Sequence, residues 1–185
     1  MVETAQIITV SLANGDISLA LKFAKGNCIN GRSTIHKDRV ERKAQLMEDE
    51  IVGMLGVIAF SKVFFGRVHP FVEARWVASQ HPKEGDGGSD FIGSNIDVKN
   101  SRMRAGPDPL AYHLWVRQRE WHEDVVYVRA MTPEIDILKK RATVYLVGWA
   151  LGTELPEPNF EDRRELKNNL LHPLPPFQWS WYASS

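Results

Sequence analysis

A single cysteine, Cys28, occurs in 185 residues, which excludes a disulfide within the chain and fits a reducing compartment. Neither sign of charge is in excess: 23 basic and 23 acidic residues give a formal net charge of zero. A protein that coats nucleic acid by bulk electrostatics carries a basic surplus, so the balance argues against that class, whereas it does not exclude a nuclease whose acidic pocket offsets basic residues elsewhere. No apolar run reaches membrane-spanning length, since Ile51 to Phe65 is interrupted by Gly53, Gly56, Ser61 and Lys62. Glu3 stands where a secretory leader would place basic residues, and no signal peptide is expected. Internal repeats and low-complexity tracts are missing. The six histidines form neither His-X-His nor His-Glu-X-X-His, Cys28 has no neighbour for a zinc site, and no Gly-X-X-X-X-Gly-Lys-Ser/Thr loop occurs. Zinc chemistry and nucleotide hydrolysis are therefore not expected.

What is present is an ordinary globular composition, 43% hydrophobic and 25% charged, with no convincing linker, so a single domain spanning residues 1–185 is expected. Its most informative stretch runs from Glu84 to Ser101. Asp86-Gly87-Gly88 reads as a turn, Ser89 to Ile92 as a short extended run, Gly93-Ser94-Asn95 as a second turn and Ile96 to Ser101 as a returning strand, together a tight β-hairpin. Side chains alternate along a strand, so Asp97 and Lys99 share one face while Ile96 and Val98 share the other. Asp90, on the opposing strand, is expected close to Asp97. Two carboxylates and an ammonium on one patch suit a hard divalent cation and a developing phosphorane charge, the chemistry of phosphodiester cleavage. A solvated hairpin with a cross-face Asp–Lys pair is the plain alternative.

Asp-Gly-Gly-Ser-Asp-Phe followed by Ile-Asp-Val-Lys-Asn-Ser resembles the PD-(D/E)XK nucleases, whose fold is restriction-endonuclease-like. Ser89 stands where that motif has its proline. The resemblance implies an α/β core with a central mixed β-sheet flanked by α-helices, spanning about residues 38 to 175. It implies Mg²⁺ as cofactor, with Mn²⁺ as substitute, and DNA as partner. Asp90, Asp97 and the backbone carbonyl of Val98 would hold the metal, and Lys99 would orient or activate water and stabilise the pentacovalent phosphorus. The family also carries a helical Glu, often in a segment like Gly-X-X-Gly-Glu-X-Ala. Here Gly53 to Ala59 matches that segment and Val57 holds the place of the Glu. Glu50, two turns earlier on nearly the same face, is the candidate to replace it as a catalytic and metal-binding acid, or else a solvated helix charge. The order of later strands is similar to that of small bacterial and phage members, which implies a cytoplasmic setting in a bacterial or phage-infected cell. An endonuclease is expected, and a weakened or inactive nuclease fold acting as a nucleic-acid-binding or assembly module is the rival.

The remaining elements follow from pattern. Ala5 to Leu12 reads as strand or helix, Asn14-Gly15 as a turn, and Asn27 to Ser33 as a loop. From Thr34 or Asp38 a long helix is expected, with Val40, Ala44, Met47, Ile51, Met54 and Leu55 at helical spacing and glycines that hint at close packing. Phe71 to Ala78 reads as a strand carrying a lesser ligand candidate, Glu73. Ser101 to Asp108 is expected as a loop whose Arg102 and Arg104 contact phosphates or solvent. Leu110 to Arg117, Val125 to Ala130 and Thr143 to Trp149 read as strands, His122-Glu123-Asp124 as a polar turn and Glu161 to Leu171 as a short helix. The aromatic tail with Trp179, Trp181 and Tyr182 could dock on the domain, stack on bases or cover the partner of a homodimer.

Overall fold

The computed structural model describes residues 7–29, 40–66, 68, 90, 91 and 94–174. The expected strand Phe71 to Ala78 with Glu73, the turn at Asp86 to Gly88, the helix start before Val40 and the aromatic tail all lie outside these residues. Among the described residues six strands and two helices follow one another: β1 (Ile8–Leu12), α1 (Asn14–Ile29), α2 (Val40–Phe65), β2 (Ile96–Arg102), β3 (His113–Arg117), β4 (Val126–Asp136), β5 (Arg141–Leu151) and β6 (Arg163–Lys167). The protein is mixed α/β. Four strands form one sheet in the order β1-β5-β4-β2, and β3 and β6 form a separate antiparallel pair. Within the larger sheet β2 runs parallel to β4, while β4–β5 and β1–β5 are antiparallel.

The long helix expected from its spacing is α2, and its burial has a physical reason. Ile51, Met54, Leu55, Ile58 and Ala59 repeat at helical spacing and are buried. Val52, Val57, Phe60 and Ser61 are buried as well, because α1 packs on the helix on one side and the sheet on another. Gly56 permits the close approach to β2, since a Cβ there would lie 2.6 Å from the Asn100 Cβ. Gly53 meets nothing within 4 Å, so the close packing suggested by the two glycines holds at Gly56 alone.

Two expectations are corrected. Asn14-Gly15 is not a turn but the first turn of α1, because Asp16 accepts the Ala13 N–H at 2.9 Å and so satisfies a donor the helix start leaves open. Lys62 of α2 then donates to Asp16 at 2.7 Å and ties the helices together. Glu161 to Leu171 is not a helix but β6 followed by a 3-10 turn at Asn168–Leu170. Arg163 to Lys167 pair with β3 in register Leu114↔Leu166 and Val116↔Arg164, a long-range pairing that outweighs local helix propensity.

The two faces of the large sheet bury two different cores. Even-numbered residues of β2 and β4, among them Ile96, Val98, Val126, Val128 and Ala130, pack with α1 and α2. Tyr127 and Met131, from the other face, pack with Val147 of β5 and with Leu114 and Val116 of β3. A parallel pair requires a crossover. The segment between β2 and β4 supplies it and lays β3 over the second face.

Candidate active site

Alternation along β2 turns Asp97 and Lys99 to the second face, where Asp97 stands beside Tyr127 in register. Lys99 Nζ lies 2.9 Å from Asp97 Oδ2 and 3.1 Å from Glu120 Oε2. Glu120 ends the 3-10 turn Gln118–Glu120 that follows β3. Burial alone would weaken the Lys99 ammonium, but the Asp97 and Glu120 carboxylates outweigh it and hold its pKa well above the ordinary lysine range. Burial, the largest cause, raises the Tyr127 phenol, and Asp97 and Glu120 add to it. The cluster is thus a protonated lysine clasped by two carboxylates from elements far apart in sequence.

Glu120 is pinned from several directions. The Tyr127 hydroxyl donates to its carbonyl at 3.1 Å and accepts the His122 N–H at 2.8 Å. The Gln118 N–H donates to the Asp162 carbonyl at 2.9 Å, and Trp121 Nε1 donates to the Gly152 carbonyl at 2.9 Å. Buried Arg164 donates to Gln118 Oε1 at 2.7 Å and lies 4.0 Å from the Trp121 ring centroid. Gly152 is required here, because a Cβ would collide with the His122 carbonyl. A turn fixed in this way holds its carboxylate without the reorganisation a free loop would need.

Asp90 is positioned differently from the expected hairpin. Asp90 and Phe91 form a bend, not a strand paired with β2. The Asp90 N–H donates to the Ile96 carbonyl at 2.9 Å, and Asp90 Oδ2 accepts the Val98 N–H at 2.6 Å. The side chain takes the place of a strand partner at the start of β2, so a second strand is not needed there. Phe91 anchors the bend: it is fully buried, with its ring 5.6 Å from that of Phe60 and 5.4 Å from that of Phe65 at the end of α2.

The remaining candidates are placed as follows. Glu50 is half-buried on α2, a helix whose packing is with the Ile96–Val98 face, opposite to Asp97 and Lys99. Val57 is 3% exposed in the apolar core. Arg102 closes β2, one residue beyond the expected strand, and Arg104 follows it; their guanidinium groups lie 3.8 and 3.6 Å from Glu48 Oε1. His122-Glu123-Asp124 forms the turn before β4.

Sequence reasoning missed Glu120 and Arg129. Arg129, beside Lys99 in register, is 2% exposed. It donates to the Lys99 carbonyl at 3.2 Å and to Ser101 Oγ at 2.7 Å, while its Nε has no partner. Burial lowers its pKa to about 10. The only local signal for Glu120 was the charged run Arg117-Gln118-Arg119-Glu120 at the end of a strand.

Hard oxygen donors of the kind Mg²⁺ takes are present in Asp97 and Glu120. Among the described residues no three of His, Cys, Asp and Glu converge as a metal-binding group, but Mg²⁺ keeps several waters and is held through one or two carboxylates plus substrate phosphates. The donor set therefore fits that ion. Comparison with family models, with curated proteins and with solved structures found no match. Among the described residues no helix is long and apolar enough to cross a membrane.

Proposed function

We propose that the protein is a Mg²⁺-dependent nuclease that hydrolyses DNA phosphodiester bonds, with a restriction-endonuclease-like core. One observation carries this reading: Lys99 lies between the Asp97 and Glu120 carboxylates at 2.9 and 3.1 Å on a partly buried sheet face. Asp97 and Glu120 would hold the metal, with the Val98 carbonyl and Asp90 close by on the same strand end. When bound, the ion supplies Lewis acidity and a more acidic water. The parallel β2–β4 pair flanked by α2 supports the fold assignment.

The chain's own groups divide the work by charge. Lys99, held protonated, is not a base; its ammonium faces the negative charge that builds on the phosphoryl oxygens in the transition state. A carboxylate of the cluster is the group able to accept a proton from the attacking water. Asp90 fixes the Val98 N–H, and through it the strand that presents Asp97 and Lys99. Arg102 and Arg104 can exchange Glu48 for phosphates and position the strand.

A second reading, a nuclease fold that binds nucleic acid without cutting it, is favoured by one observation: Val57, at the place of the family's helical acid, belongs to the core. Nicking of a supercoiled plasmid by the pure protein, with Mg²⁺ and then with EDTA, separates the two. Mg²⁺-dependent nicking that disappears in Asp97→Ala supports the enzyme; binding without nicking supports the module.

A further inference from the structure

The outward face of the β3–β6 pair sets three cations, a histidine and a carboxylate around one indole. Leu114, Val116 and Arg164 are buried beneath it, so His113, Trp115, Arg117, Arg163, Glu165 and Lys167 point away from the core. Register places Arg117 directly opposite Arg163, Trp115 opposite Glu165 and His113 opposite Lys167. Two arginines directly opposed on a sheet are destabilising unless carboxylates offset them, and here Glu120 lies 3.4 Å from Arg117 and Glu161 2.9 Å from Arg163, partners that a phosphate can replace. Trp115 is half-buried, with the Arg163 guanidinium 4.9 Å and the Arg117 guanidinium 6.0 Å from its ring centroid. Guanidinium groups within cation–π range of an indole mark a surface on which a base can lie and a phosphate can be met.

This face leads directly to the cluster described above. Arg117 Nη1 donates to Glu120 Oε1 at 3.4 Å, and Glu120 Oε2 accepts from Lys99 at 3.1 Å. A strand whose base stacks on Trp115 and whose phosphates meet Arg117, Arg163 and Lys167 would continue towards Lys99. Duplex bases are stacked on one another and present no free ring face, whereas an unpaired strand does. We propose that the outward β3–β6 face is a platform for single-stranded nucleic acid. Its role in feeding Lys99 rests on the nuclease reading; its binding of a single strand does not.

The test is fluorescence anisotropy of the full chain in EDTA, with labelled oligothymidylate, oligouridylate and a DNA duplex of equal length. Either single strand should bind at least about tenfold tighter than the duplex, and Trp115→Leu should remove that margin. Arg117→Gln with Arg163→Gln should lower the slope of log affinity against log salt by roughly 1.4 for a single strand, about 0.7 for each lost phosphate contact. Thermal melting of each variant ensures that folded protein is compared, and the arginine pair tests the platform even where the tryptophan variant does not fold. Equal affinity for duplex and single strand, or an unchanged affinity and salt slope in folded variants, overturns the platform. Plasmid nicking measured alongside separates the two ideas: nicking without single-strand preference leaves the nuclease and removes the platform, and single-strand preference without nicking does the reverse.

Discussion

The two faces of β2 carry the same backbone and opposite chemistry. Ile96 and Val98 turn to α1 and α2 and join an apolar core. Asp97 and Lys99, one residue out of phase, turn to the face roofed by β3 and meet Glu120, with Tyr127 at their side. On the helical face any apolar side chain of the right volume would serve. On the other face position decides, because a buried charge is tolerated only with its partners in place. The comparison shows why stability and chemistry can be changed separately in one strand.

The largest expected effect comes from forcing the chemistry of one face onto the other. Val57→Glu would bury a carboxylate among Leu55, Ile58 and the β-strand aliphatics and should cost about 4 kcal/mol or more in stability, read as a lower denaturant midpoint, with no gain in nicking. A folded Val57→Glu protein that cleaves faster would show instead that position 57 reaches the metal and that the two faces are not separate.

Next is Lys99→Met, which keeps the stem and removes the charge. Nicking should fall by about 10²–10³. Because the folded pKa of Lys99 lies above its unfolded value, its pairing contributes stability in full below the ordinary lysine value, about pH 10.4, and loses it only as pH rises through the higher folded value. The wild-type rate should accordingly show no alkaline loss attributable to Lys99 across pH 8 to about 10. A rate that instead climbs with pH across that window, in a limb that Lys99→Met abolishes, would make the lysine a base.

Gly152→Ala probes how the roof is held. With the His122 carbonyl in the way, the turn bearing Glu120 must shift. Stability should fall by about 1–3 kcal/mol and nicking should fall with it, while the helical face, sensed by the burial of Phe60, stays intact. Undiminished nicking would mean that Glu120 need not be fixed. A sharper version sets Glu120→Gln against Glu50→Ala: the first should slow nicking about tenfold or more and the second much less. The opposite order would return the missing acid to α2.

How far these faces could be read beforehand depends on the range of the interactions that make them. The period of two in Ile96-Asp97-Val98-Lys99 is local, and so is the helical spacing from Val40 to Leu55; both are legible. Thr143 to Trp149 was legible as a strand because its β-branched and aromatic run fits a buried sheet, and β5 extends it only at the ends. The strand after the motif was expected from Leu110 but starts at His113, since Pro109 opens a 3-10 turn capped by Asp108. Glu120 was illegible because its proximity to Lys99 is made by a crossover. Likewise the local pattern of Glu161 to Leu171 suggests a helix, because the strand that makes β6 a strand lies some fifty residues earlier in the chain. Asp90 meets β2 through its carboxylate on the Val98 N–H and its own N–H on the Ile96 carbonyl, not through the expected hairpin ladder, a distinction that Gly-rich sequence does not encode.

The smallest effect concerns the edge where the roof meets the sheet again. His172 pairs with Trp149 through two backbone hydrogen bonds of 2.9 and 3.0 Å, and its ring lies 2.6 Å from Glu154 Oε1. Burial pushes the Glu154 carboxyl up, but the His172 hydrogen bond and the Leu151 N–H outweigh it and leave the pKa below the usual glutamate value. A folded pKa below the unfolded one contributes stability above the ordinary value, about pH 4.3, and that contribution is lost as pH falls through the lower folded value. Both side chains are more than a third exposed, so solvent screening keeps the contribution to about 0.5 kcal/mol. Thermal melting of wild type and Glu154→Gln should therefore differ slightly at pH 6, and the gap should narrow as pH falls below about 4. A gap that widens in acid would mean that Glu154 is not stabilised as a carboxylate, and that the contact holding His172 to β5 rests on the backbone alone.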